Sequence, residues 1–123
     1  MKTTKLLSTI LLLVAGVFTS NAIVAQDAVF EELDRALESA QEYIDVRETK
    51  IAGYNAMLQQ ETLSPIQRYN IYKSLYEEYY SFQFDKAMEM LDRRYELSSM
   101  LGDKRLIADD KLDRAMLYSI SAM

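Results

Sequence analysis

Three groups of residues in this chain could do chemistry. The first is a row of tyrosines, Tyr69, Tyr72, Tyr76, Tyr79 and Tyr80. Steps of three and four place most of them on one broad helical face. Such a face can offer Tyr69, Tyr72, Tyr76 and Tyr80 to a partner, as a platform for a peptide or a sugar ring. It can equally fill the groove between two helices, with the hydroxyls reaching water at the rim. The large apolar area of each ring favours the packing use. The second group is acidic: Glu77 and Glu78, then Asp109, Asp110 and Asp113. Adjacent helical residues point in different directions, and no third ligand stands at a metal-binding spacing, so a solvated acidic face is expected. Asp110 and Arg114, four apart, read as an exposed pair worth a few tenths of a kcal/mol. The third group is basic. Arg47 interrupts an apolar seam, and Arg93 and Arg94 are adjacent. Arginines of this kind usually lay their stems on a core and pair with nearby carboxylates, and no loop here aims a helix N-terminus at an anion.

What is missing narrows the field further. The 123 residues contain no Cys and no His, which removes thiolate metal sites, disulfides, Cys nucleophiles and His bases. No serine sits in a nucleophile elbow and no Gly-rich loop follows a strand, so no catalytic residue, metal or cofactor is expected. The formal charge is −5. An acidic chain without a basic run is a poor match for nucleic acid or anionic lipid, so no direct nucleic-acid binding is expected.

The elements that must position these groups are helices. Pro occurs once, Gly three times, and nothing alternates as a strand would. The expected fold class is all-α. Residues 1–25 read as a signal peptide. Lys2 and Lys5 form a positive start, Leu6 to Phe18 an apolar run, and Ala22 and Ala25 are both possible cleavage points. An uncleaved anchor is the alternative, but Ser20 and Asn21 interrupt a stretch already shorter than the roughly 20 residues of a spanning helix. Removing Lys2 and Lys5 takes the net charge from −5 to −7.

Residues 27–62 read as one long helix. Phe30, Leu37, Ile44, Ile51 and Leu58 recur every seven residues, with Leu33, Ala40, Arg47 and Tyr54 at the second seam position. This spacing supports a coiled coil, and a homodimer through those five residues is one reading. Val29, Ala36, Tyr43 and Met57 widen the stripe and favour packing against neighbouring helices instead. Gly53 allows a local bend.

Residues 63–123 hold a helix, a corner, a second helix and the start of a third. Ser64, Pro65 and Gln67 form a capping box with proline at the first helical position. Asp85 is expected to cap a helix from Lys86 to Leu101, with Gly102 as its left-handed stop and Asp103 as the next cap. Ala108, Leu112, Ala115, Met116 and Ser119 make a small-residue face on the last helix.

The runs Leu75-Tyr76-Glu77-Glu78-Tyr79, Phe82-Gln83-Phe84-Asp85-Lys86-Ala87-Met88 and Leu101-Gly102-Asp103 together resemble a tetratricopeptide unit. In that family an aromatic precedes the turn, a D-x-A opens helix B, and L-G-[DN] ends it. The resemblance assigns repeat packing to Ala87, Leu91, Gly102, Ala115 and Tyr118. Arg94 departs from the pattern, where Ala is usual. The leader, the charged first helix and the stretches SPIQRYNIYKSLYEEYYSFQFD and KRLIADDKLDRAMLYS resemble more narrowly the front of periplasmic regulators of starch utilisation in Bacteroidetes. That resemblance implies a non-catalytic, exported sensor module, with further repeats, a membrane helix and a DNA-binding helix-turn-helix beyond Met123. Its partner would be a protein or those further repeats. Two other readings remain: a secreted helical protein that dimerises through 27–62, and a Tyr-lined glycan-binding module. In a repeat array the face of the last helix is covered by its own helix B. The 123-residue product is therefore expected to be marginally stable or self-associating.

Overall fold

Ser64 starts the repeat with the chemistry its residue type predicts. In the computed structural model its hydroxyl accepts from the Gln67 amide, and the Gln67 side chain returns to the Ser64 amide at 2.8 Å. The structure describes residues 2–123, with side chains at 3–5 and 24–123. The apolar run of the expected leader, Leu6 to Phe18, lies outside the described side chains. Four helices follow in order, α1 (Lys2–Leu58), α2 (Pro65–Tyr79), α3 (Phe84–Leu101) and α4 (Lys104–Ser121). The protein is all-α. Among the described residues no helix is long and apolar enough to cross a membrane.

Two units divide the chain, residues 1–44 and 45–123. In the first, every described side chain on α1 from Val24 to Ile44 is exposed. Arg35 and Glu31 form an open pair at 3.5 Å. The second unit carries the core. Leu75, Leu91 and Ala87 are fully buried, and Leu117 nearly so. Ile71, Tyr76 and Met90 complete the cluster, with Ile51, Tyr54 and Leu58 of α1 packed against it. Burying a leucine side chain contributes roughly 1.5–3 kcal/mol, so this small set supplies most of the cohesion. Only the last turns of α1 share in it. Lys50 pairs with Glu78 at 3.4 Å, and the Arg47 guanidinium lies 4.4 Å from the Phe82 ring centre.

Several element boundaries differ from the sequence reading. α1 ends at Leu58, not Thr62. The Arg68 guanidinium donates to the carbonyls of Leu58 and Gln60, at 3.2 and 3.0 Å, and so satisfies helix-end acceptors that further turns would have used. α1 runs through Gly53 without a break. α3 begins at Phe84, with Gln83 as a cap that makes no side-chain bond. Asp85 is therefore not the cap. It lies in the first turn, where a carboxylate still opposes the positive end of the helix dipole. At the far end Gly102 has φ 66°, and the Gly102 and Asp103 amides return to Ser99 and Ser98 as a Schellman stop. The Asp103 carboxylate then accepts from the Arg105 and Leu106 amides.

The small-residue face of the last helix is left uncovered, as the absence of its own helix B among the described residues implies. Ala108, Leu112, Ala115, Met116 and Ser119 face outward, and Tyr118 is 52% exposed. The inward row is Leu106, Asp110, Asp113 and Leu117, at steps of four, three and four. Two aspartates on that row hide its periodicity from a hydrophobic reading. Ala115 and Tyr118 therefore do not pack into the core of this unit, although Tyr118 meets the Phe84 ring at 6.2 Å.

Ala87 is fully buried in the cluster built from α2, α3 and α4. Ala87→Leu is expected to overpack this point and lower stability by about 1–3 kcal/mol, measured by thermal denaturation. An unchanged midpoint would contradict the close packing.

Candidate functional site

Three residues of α2 with its C-cap Tyr80, and four of α4, share one pattern. Lys73, Tyr76, Glu77 and Tyr80 follow steps of three, one and three, and so do Asp109, Leu112, Asp113 and Met116. Each set therefore lies along one face of its helix. The two rows line a cleft of about 440 Å³, with Arg94 of α3 also in its wall. Leu112 and Met116 are 61% and 48% exposed, so the cleft offers apolar surface to solvent. Lys73, Glu77 and Asp109 add charge at exposed positions. A face of this kind suits an amphipathic protein segment that brings both apolar and charged side chains.

Beneath the cleft lies a buried charge cluster. Arg94 is fully buried. Its Nη2 lies 2.8 Å from Asp110 Oδ1 and donates to the Tyr69 hydroxyl at 3.2 Å. Its Nη1 donates to Asp113 Oδ2 at 2.8 Å. The Tyr69 hydroxyl donates to Asp110 Oδ1 at 2.9 Å, and the Ser98 hydroxyl lies 2.7 Å from Asp110 Oδ2. The guanidinium carbon stands 5.3 and 5.4 Å from the Tyr69 and Tyr76 ring centres, within cation–π range. Arg94 Nε is buried with no hydrogen-bond partner, an unmatched donor that the rest of the cluster must offset.

The electrostatics follow from this geometry. Burial works against the Arg94 charge, but hydrogen bonds to Tyr69 and Asp113 and the nearby Asp110 outweigh it and hold the pKa above its usual value. Burial likewise pushes the Tyr69 phenol up, with Arg94 opposing the shift and Asp110 adding to it. Tyr76 is pushed up to about 12, mainly by burial and then by the Asp113 charge.

The sequence-predicted residues are thus separated. Tyr76 and Tyr80 belong to the cleft, with their rings 5.7 Å apart edge to face. Tyr72 is half-buried against the core. Tyr69 is not on a partner surface, because it is 2% exposed and its hydroxyl is committed to Asp110. Ala87 and Leu91 are core residues, and Gly102 is the helix stop. Asp110 and Arg114 are not an exposed pair. Asp110 is 1% exposed, while Arg114 turns to Asp92 at 2.6 Å. Nor is Asp113 fully solvated, since Arg94 holds it. Lys73 escaped the sequence reading, and Glu77, Asp109, Leu112 and Met116, each noted for another reason, were not joined into one row. The matching spacing on α2 and α4 was the signal available. Among the described residues no cluster of acidic groups could hold a metal.

A helical hairpin, α2 and α3, followed at once by a further helix on the same side defines a helical-repeat protein. The chain belongs to the family described as the SusR N-terminal TPR domain, whose model matches residues 37–123. Neither a curated protein nor a solved structure matches the chain. The tetratricopeptide family is generally non-catalytic and generally mediates protein–protein interaction.

Removing one partner from a buried ion pair leaves an uncompensated charge and costs about 3–5 kcal/mol. Arg94→Met is expected to lose that much, and Arg94→Met with Asp110→Asn to recover part of it, as read by urea denaturation. A second expectation concerns pH. Because the folded-state pKa of Tyr76 is raised, its contribution is complete below pH 10 and is lost as pH rises from 10 towards 12. Tyr76→Phe should flatten the fall in thermal midpoint over that window. An identical fall in both proteins would show that Tyr76 is not protected.

Proposed function

We propose that this chain is the N-terminal module of an exported regulator of carbohydrate utilisation, and that it works by binding protein segments on the cleft between α2 and α4. The family match over residues 37–123 carries this reading. The cleft supports it with exposed Leu112 and Met116 beside Lys73, Glu77 and Asp109. Export rests on Lys2, Lys5 and the apolar run that follows them, with a mature start near Ile23 or Gln26. The module itself performs no reaction in this reading. A partner, or a following repeat, would shift the orientation of downstream parts by its preference for one arrangement.

A glycan platform draws less support. Stacking against a sugar needs exposed ring faces, and Tyr69 and Tyr76 are 2% and 6% exposed.

The test is a cleft variant in cells that carry the chain at its own locus. Glu77→Lys with Leu112→Asp changes two exposed side chains, so the thermal midpoint should move by no more than a few degrees. The transcriptional response to the inducing carbohydrate should fall about tenfold or more, as expected from losing one apolar and one charged contact. An unchanged response would remove the cleft from the mechanism. Intact mass of the envelope protein checks export separately, and a retained Met1 to Ala22 would sink that part.

A further inference from the structure

The first unit of the chain presents a second surface, unrelated to the cleft. Along α1, Phe30, Leu37 and Ile44 occupy every seventh position, and Leu33 and Ala40 stand three residues after the first two. Phe30, Leu33, Leu37 and Ile44 are 53%, 50%, 59% and 43% exposed. Val29 and Tyr43 border them on one edge at 64% and 63%. Within the second unit the later positions of the same heptad, Ile51, Tyr54 and Leu58, are occupied by the core, and Arg47 by Phe82. The earlier positions have no such use within their own unit.

We propose that residues 24–44 of α1 pair with the same residues of a second copy as a parallel two-stranded coil. Three observations choose this occupant. The 3-4 spacing is the one at which two helices keep a continuous shared seam, with Phe30, Leu37 and Ile44 at a and Leu33 and Ala40 at d. The area is adequate: six side chains giving on the order of 100 Å² each make roughly 1,200 Å² for the pair, the low end for a stable interface. The charges fix the orientation. Glu31, Glu32, Arg35, Glu38 and Glu42 lie on the outer positions, away from the seam. The edges differ, with Val29, Ala36 and Tyr43 at g and Asp27, Asp34 and Gln41 at e. In a parallel coil each g meets an e, so Val29 faces Asp34 of the partner subunit and Ala36 faces Gln41 of the partner subunit. An antiparallel coil sets the two acidic e edges against each other, where like charges repel.

The experiment uses the protein as its cells export and process it. Sedimentation equilibrium at micromolar concentration should give a dimer, and Leu33→Gln with Leu37→Gln should raise its dissociation constant at least about tenfold. Both leucines are half-exposed, so circular dichroism should show helix content and melting of the second unit unchanged. Leu112→Gln with Met116→Gln should leave the dimer intact. The natural chain has no cysteine, so Leu37→Cys reports orientation. Only a parallel, in-register coil brings each residue within disulfide reach of its own counterpart, and mild oxidation should yield a covalent dimer. A monomeric wild-type protein, a dimer indifferent to the α1 changes, or one lost on the α4 changes overturns the proposal. A dimer in which Leu37→Cys does not cross-link overturns the parallel orientation.

Discussion

A guanidinium held out of water decides how the three repeat helices meet. Taking one ion from water into a protein interior costs several kcal/mol unless its donors are matched. Arg94 on α3 finds those matches on the two neighbouring helices, Tyr69 on α2 and Asp110 and Asp113 on α4. Apolar contacts among Leu75, Leu91 and Leu117 supply non-directional cohesion, which many relative rotations of the helices would satisfy. The charge cluster satisfies few. It thus selects one arrangement from the set that hydrophobic burial permits, and Ser98 tightens the choice by holding the second Asp110 oxygen.

The same cluster ties the core to the cleft. Asp113 and Arg94 both line the opening, yet their charges are spent on each other. Lys73, Glu77 and Asp109 lie at more open positions of the same wall. Tyr76 belongs to both layers. Its ring packs in the core cluster while its hydroxyl lies 3.4 Å from the Asp113 carbonyl. A cleft built on a buried ion cluster is rigid at its base and adaptable only at its rim.

Local chemistry was legible in the sequence. The Ser64 cap, the Gly102 stop and the Asp103 cap each depend on residues within one turn, and their types name their roles. The start of α3 was misread because Gln83 caps without a side-chain bond, whereas Asp85 looks like a cap and is not. Longer-range pairing was illegible for a different reason. Nothing in Asp109-Asp110 says which carboxylate turns inward, and the inward row Leu106, Asp110, Asp113 and Leu117 is half acidic. Its hydrophobic period is therefore weak, and the stripe through Leu112 and Met116 is the more visible one. The departure at Arg94 from a small residue was the visible clue. A large buried cation requires buried acids, and the aspartates on the next helix were there to supply them.

The junction between α3 and α4 carries a consequence of its own. Gly102 ends one helix and Asp103 begins the next, so no residue is spare. Surface connections usually tolerate insertion. Here one added residue would turn α4 by about 100° relative to the junction and carry Asp110 away from Arg94. The link between α1 and α2 is held by Arg68 and by Leu63 against the core, and its exposed stretch from Gln59 to Thr62 can lengthen. In this protein the spacing from one repeat helix to the next is therefore inherited as a fixed count, metered by a charge as much as by the shapes of the side chains around it.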